Sequence, residues 1–332
     1  MHLRVQHETR YSYETPPVSV IDLIRLTPRN SATQSVRDWR ITVSGDAPLS
    51  RFDDAFGNIC HTFTMAVPED GLVITATGTV DTSGTSGVMA GTKETLPTAV
   101  FLRETALTER SEAIEDLARD AAAAAQPGTL NLAHTLMGLV HDRIEFDETA
   151  TDAATAADAA LSSGRGVCQD LTHVMLAAAR AASIPARYVS GYQFQDGNAR
   201  DAHAGHAWAE LLIDDLGWVG FDPTAAICTD ETYIRVAVGL DTTSASPVRG
   251  AAYGGSGEAL EVTVLMDAGP RPPSRFQSQT MFRREDGSTV TDHPSGSPTG
   301  GSPPAFGGPQ AGGGQTQSQS GQDRDPPLSD DQ

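Results

Sequence analysis

The stretch Gly164-Arg165-Gly166-Val167-Cys168-Gln169-Asp170, followed at once by the alanine-rich run Leu171 to Ala182, decides how this chain is read. Leu171, Met175, Ala178 and Ala182 recur at helical spacing and Pro185 ends the pattern, so Cys168 stands at the start of a helix. A cysteine attacks as the thiolate, which is scarce for a free thiol at neutral pH. The unpaired N–H groups of a helix start favour an anion there, and could also receive an oxyanion that develops on a bound carbonyl. Gly164 and Gly166 are expected to keep the approach to the thiol open for a substrate backbone.

Two segments downstream supply the partners such a thiol needs. His206-Ala207-Trp208-Ala209-Glu210 opens an apolar strand, and Gly217-Trp218-Val219-Gly220-Phe221-Asp222-Pro223-Thr224 reads as the next one. Two adjacent antiparallel strands can set the Asp222 carboxylate beside the His206 imidazole, giving nucleophile, base and orienter in one order. Each residue has a duller reading. A lone cysteine at a helix start is more often a small buried residue, and an aspartate before proline is more often a turn residue. The three together outweigh those readings. His203 competes for the base role, but Asp201-Ala202-His203-Ala204-Gly205 reads as a loop that would hold an imidazole less firmly than a strand. Cys168, His203, His206 and Asp222 could also be taken as a zinc set, a weak signal without a cysteine pair. No metal or cofactor is expected. Gln169 and Trp208 are candidates for substrate or oxyanion contacts, with helix capping and core packing as their plainer roles. Cys60 and Cys228 lack comparable surroundings and read as structural.

Composition narrows the partners. The chain has 332 residues, an apolar content of 39% and a net charge of −20, with no run of lysine and arginine. It can bury a real core, and its surface repels phosphate backbones and anionic membranes, so nucleic acid and membrane partners are not expected. The beginning Met1 to Glu8 lacks the apolar stretch of a secretory signal, no segment is apolar for long enough to span a bilayer, and three scattered cysteines form no framework, which points to a cytoplasmic location.

Along the chain the character changes twice. In the first hundred residues Trp39, Ile41 and Val43, then Ile59, Phe63, Met65 and Val67, then Leu72, Ile74, Ala76 and Val80 alternate with polar residues as strands do. Asp53 to Asn58 supplies a turn and Ser83 to Thr95 reads as a linker. A helix capped by Thr108 follows and stops by Pro127-Gly128, then a second from about Leu130 to Ile144, and a short helix or ordered loop over Thr151 to Leu161. After the cysteine helix, strands are expected at Ala186 to Gln193, Ala207 to Ile213, Trp218 to Asp222 and Glu258 to Met266. From about Pro294 the sequence is Gly, Pro, Ser and Gln, which predicts a disordered tail. The organisation expected is a β-rich domain over 1–95, an α+β core over 96–270, and a mostly disordered segment over 271–332.

Gly-Val-Cys-Gln-Asp before a helix, His-Ala-Trp-Ala-Glu, Gly-Trp-Val-Gly-Phe-Asp-Pro-Thr and Pro185 to Tyr192 together resemble the catalytic blocks of the transglutaminase-like superfamily, over about Leu107 to Thr224. His7 to Tyr13, Arg25 to Arg29 and Asp53 to Asn58 are similar to the bacterial transglutaminase-like N-terminal region. The resemblance implies a papain-like α+β core, helices on an antiparallel sheet, preceded by an N-terminal β domain. It implies Cys168 as nucleophile, His206 as general base and acid, and Asp222 as orienter, with a protein or peptide as substrate. Some animal members of the family bind calcium, but nothing here resembles a dedicated calcium loop. Members include cross-linking acyltransferases, peptidases and amidases, so hydrolysis and transamidation both stay open. The reading from another class is an inactive binding or scaffolding module of the same fold. The preceding β region could gate substrates or shield edge strands of the core.

Overall fold

The computed structural model describes residues 1–66, 71–91, 94–195 and 205–269, together with two short strands at Phe282–Arg283 and Thr289–Val290. His203 and the tail from about Pro294 lie outside the described residues. Residues 1–272 form one compact unit. No helix among the described residues is long and apolar enough to cross a membrane.

The amino-terminal part contributes β1 (His2–Ser12), β2 (Ser19–Thr27), β3 (Gln34–Val43), β4 (Ser50–Asp53), β5 (Ile59–Met65), β6 (Leu72–Thr82) and β7 (Val88–Met89). Then come α1 (Glu112–Ala124), α2 (Thr129–Arg143), β8 (Glu145–Phe146), α3 (Ala157–Ser163) and β9 (Arg165–Gly166). The central helix α4 (Cys168–Ala181) leads to β10 (Ala186–Gln193), β11 (His206–Ile213), β12 (Gly217–Asp222), β13 (Ile227–Cys228) and β14 (Tyr233–Gly239). A one-turn helix α5 (Thr242–Ala245) precedes β15 (Val248–Tyr253) and β16 (Ala259–Ala268).

β8 and β9 pair in parallel with each other, and three antiparallel sheets hold the other strands. The core sheet runs β13-β12-β11-β10-β14, with β7 added against β12. The other two run β16-β1-β6-β3 and β15-β2-β5-β4. They face each other across Val20, Ile24, Leu26, Val43, Phe63, Leu72 and Ile74, because each strand turns alternate apolar residues inward. The fold is therefore the expected α+β arrangement of a helix-backed antiparallel sheet with a β region beside it.

Helix α4 is buried over nearly its whole length, from Asp170 to Arg180, with α1, α2 and α3 on its flanks and β10 and β11 beneath it. Its small residues Ala177, Ala178 and Ala179 allow that close approach. Ala207, Ala209, Leu211 and Ile213 of β11 face the helices. The opposite face of the core sheet, with Tyr192, Ile234 and Val236, packs on Leu3, Val5, Val80 and Val264 of the β region.

Several expectations shift in detail. The cap of α1 is Ser111, whose hydroxyl accepts from the Ile114 N–H at 3.3 Å, while Thr108 is buried and accepts instead from Arg180 Nη1 at 2.7 Å. Part of the expected linker forms β7 on the core sheet. The strand expected at Glu258 to Met266 forms as β16, and it pairs with β1, so the chain returns to the amino-terminal sheet after completing the core. The edge of the core sheet at β14 is covered by two amide side chains. Asn58 donates to the Val238 carbonyl (2.7 Å) and accepts from its N–H (2.8 Å), and Gln34 does the same at Arg235 (2.8 and 2.9 Å). Each side chain takes the place of a neighbouring strand.

Candidate active site

The chain enters α4 through a pinned loop. Glu145 N–H donates to the Gly164 carbonyl at 2.9 Å and Asp147 N–H to the Gly166 carbonyl at 3.0 Å, so β8 and β9 hold the segment before Cys168. Asp170, on the first turn, accepts from Val167 N–H (2.8 Å) and from the Thr151 hydroxyl (2.5 Å), closing the helix start. Gly166 is needed for this closure, since a Cβ there would stand 2.8 Å from the Asp170 carboxylate. The glycine makes room for Asp170 rather than for a substrate, a change from the expectation. Burial pushes the Asp170 carboxyl above its usual range, against the hydrogen bonds of Thr151 and Val167. The Cys168 and Gln169 N–H groups lead the helix and have no intrahelical acceptor, which suits a developing oxyanion.

Cys168, His206 and Asp222 come together. His206 Nε2 lies 2.7 Å from Asp222 Oδ2, and the Cys168 thiol is near enough to the imidazole to act on its ionisation. With Nε2 committed to Asp222, Nδ1 is the nitrogen left for the sulfur. Burial works against a charge on His206, but the hydrogen bond to Asp222 and the influence of Asp222 and Cys168 beside it outweigh that, raising the imidazole to about 10. Asp222 is wholly buried. Burial alone would raise its carboxyl, yet the bond and charge of His206, the Tyr233 hydroxyl and the Thr224 N–H hold it below the usual carboxylate range. The pair therefore stands as imidazolium and carboxylate at neutral pH.

Tyr233 is the member that sequence reasoning missed. Its hydroxyl donates to Asp222 Oδ2 at 2.7 Å and accepts from Gln193 Nε2 at 2.7 Å. The short apolar, β-branched run over Tyr233 to Gly239 is compatible with a buried strand, but the hydroxyl's partner is visible only once β14 is folded against β10. Trp208, a candidate substrate contact, lies in the core behind the imidazole instead. It is 2% exposed, stacks on His206 with ring centroids 6.2 Å apart, and meets Tyr233 edge-on at 5.3 Å. Alternation along β11 puts it there, two residues from His206 on the same face. Gln169 does line the cleft, and its Oε1 accepts from the Thr242 hydroxyl at 3.2 Å.

Cys60 is buried, with its thiol pushed up to about 11 by burial and by Asp54, and burial also raises the Cys228 thiol. Among the described residues no group of three His, Cys, Asp or Glu side chains is placed to hold a metal. His203, named in the zinc alternative, is outside that set.

Cys168 and His206 open into a cavity of about 1000 Å³. One side is built by α4, β10 and β11. The other is built by the β region, with His7 and Thr9 of β1, Leu26 of β2, and Val262 and Val264 of β16.

A family model described as the transglutaminase-like superfamily matches residues 115–223, and one described as the bacterial transglutaminase-like N-terminal region matches residues 3–81. An uncharacterized protein of Mycobacterium tuberculosis is 30% identical over 292 residues, covering 80% of this chain and 92% of that protein. One from Mycobacterium leprae is 29% identical over 277 residues, 79% of this chain and 97% of that protein. A protein-glutamine gamma-glutamyltransferase of Pseudomonas aeruginosa is 33% identical over 142 residues, 40% of this chain and 20% of that protein. A solved structure from Cytophaga hutchinsonii, which bears a provisional cysteine-protease name, shares the fold at a TM-score of 0.62 and 20% identity, over 82% of this chain and 93% of that one. With both blocks matched in order and a relative covered over nearly its full length, this chain belongs to the transglutaminase-like superfamily.

Proposed function

We propose that the protein is a cysteine-dependent acyl-transfer enzyme acting on peptide-like amides, with Cys168 as nucleophile, His206 as acid and base, and Asp222 as orienter. The observation that carries this reading is the meeting of Cys168, His206 and Asp222 at the wall of a large cleft, with the imidazole hydrogen-bonded to the buried carboxylate. The Cys168 thiolate adds to the amide carbonyl carbon, the C–N bond breaks, and His206 gives its proton to the departing amine, leaving a thioester. Water then adds to the thioester, His206 takes its proton, the C–S bond breaks and the acid leaves. A primary amine in place of water would give a new amide. Water is the acceptor we favour, because it is always present at high concentration. An inactive scaffold would have no need of an imidazolium held between a thiol and a buried carboxylate, and all three groups are intact.

Alkylation with iodoacetamide at mildly acidic pH tests the first step. Cys168 is expected to react at least tenfold faster than Cys60 and Cys228, as mapped by mass spectrometry, and equal rates would overturn the assignment. Wild type and Cys168→Ala, each given a mixed peptide pool with and without a primary amine, test the second. Cys168-dependent loss of amide bonds without amine adducts supports hydrolysis, and adducts support transamidation.

A further inference from the structure

The cleft opposite Cys168 has a floor of unusual regularity. The antiparallel register pairs Tyr11 with Leu260, Thr9 with Val262 and His7 with Val264, and all six line the cavity along with Met266. Successive residues on one face of a strand are two apart, so these side chains form two parallel rows. The β1 row is capable of hydrogen bonding and the β16 row is apolar throughout. From Leu260 to Met266 the apolar row is about 20 Å long, the reach of a six-residue extended segment. Charge is scarce in this space. Apart from His206, the charged lining residues among those described are Arg25 and Glu148, and Arg25 holds Asp54 through Nε at 3.2 Å while its Nη1 is buried without a partner. A charged substrate side chain would lose water here without gaining a partner along the apolar row.

We propose that the β1–β16 ribbon is the specificity surface of the enzyme, and that it takes an acyl-donor peptide in extended form with a bulky apolar side chain beside the reactive amide, packed on Leu260 and Val262. This rests on the acyl-transfer reading of Cys168. The chain completes the core and then returns 10 residues of β16 to the amino-terminal sheet, so substrate selection is built from a segment outside the Cys168–Asp222 blocks. His7 fits the polar row as a fixed, neutral group. One ring nitrogen meets the Tyr192 hydroxyl and the other the Thr9 hydroxyl, both at 3.0 Å.

The test uses four peptidyl acyloxymethyl ketones that differ only in the residue next to the electrophile, which is Leu, Phe, Asp or Lys. Rates of Cys168 labelling are read by mass spectrometry on wild type, Leu260→Asp and Val262→Thr. Leu260 is 57% exposed, and the threonine change is nearly isosteric, so both variants are expected to fold. The Leu and Phe probes should label wild type at least tenfold faster than the Asp and Lys probes, and both variants should narrow that gap. A flat series on wild type, or an unchanged gap in both variants, overturns the inference. Iodoacetamide does not use the ribbon. Selective alkylation of Cys168 alongside a flat series therefore counts against the ribbon alone, whereas loss of selective alkylation overturns the acyl-transfer reading and the inference together.

Discussion

Tyr233 donates to the same Asp222 oxygen that holds the imidazole, so it bears on both the orientation and the ionisation of the carboxylate. We assign it as a positioning residue, acting through Asp222. Its hydroxyl stabilises the charged form, one of the effects that keep the Asp222 carboxyl below its usual range after burial has pushed the other way. A depressed carboxyl contributes stability above its unfolded value, and that contribution is lost as pH falls through the folded value. Tyr233→Phe removes one donor, so the Asp222 value rises. The acid limb of the pH–rate profile should therefore move to higher pH, and the rate at neutral pH should fall about fivefold to tenfold, the equivalent of about 1 kcal/mol. A steady-state pH profile checks this. An unmoved acid limb with a lowered melting temperature would instead mark Tyr233 as mere packing. The sequence made Cys168, His206 and Asp222 readable because each sits in a short, distinctive run. Tyr233 has an ordinary strand around it, and its role exists only in the contact it makes.

At the scale of elements, periodicity located the long helices and several strands but passed over β2, β14 and β15, and it did not say which sheet a strand would join. Both β11 and β16 are marked by apolar residues, yet β11 stays in the core sheet while β16 crosses to β1. Pairing depends on shape and register between distant segments, which alternation alone does not carry. The same holds for the irregular point in β10, where the register with β14 shifts between Ser190 and Gly191. A Cβ at Gly191 would stand 2.1 Å from the Ile234 carbonyl oxygen and 2.6 Å from the Trp208 ring. The glycine thus lets Trp208 lie flat under β10, with His206 stacked on it. Gly191→Ala must displace either the β10–β14 ladder or the indole. We expect a loss of about 1–3 kcal/mol in urea unfolding, the usual cost of overpacking, together with slower alkylation of Cys168 because the imidazole shifts with Trp208. Normal alkylation in a destabilised Gly191→Ala protein would show that Trp208 does not hold the imidazole.

For the whole molecule, the question is what ties the β region to the core, since the cleft exists only between them. Apolar contact between Leu3, Val5, Val80 and Val264 and the Tyr192, Ile234 and Val236 face supplies a broad, non-directional attachment. Gln34 and Asn58 supply direction, because each pairs with both backbone groups of one β14 residue. In the sequence Asn58 reads only as the end of a turn and Gln34 carries no signal, for the strand they complete lies about 180 to 200 positions away. Gln34→Ala and Asn58→Ala each leave a backbone N–H and C=O at the sheet edge without a protein partner, at a cost of about 1–3 kcal/mol. Arg235 and Val238 are three residues apart on an extended strand, about 10 Å, far enough for the two losses to add within a few tenths of a kcal/mol. β14 also carries Tyr233, so a loosened edge should reach the site. The double variant is expected to unfold at lower urea in one transition and to label more slowly with the apolar ketone probes than with iodoacetamide, relative to wild type. If the two rates fall in equal proportion, the edge pairing supports Cys168 itself and has no separate hold on the cleft floor.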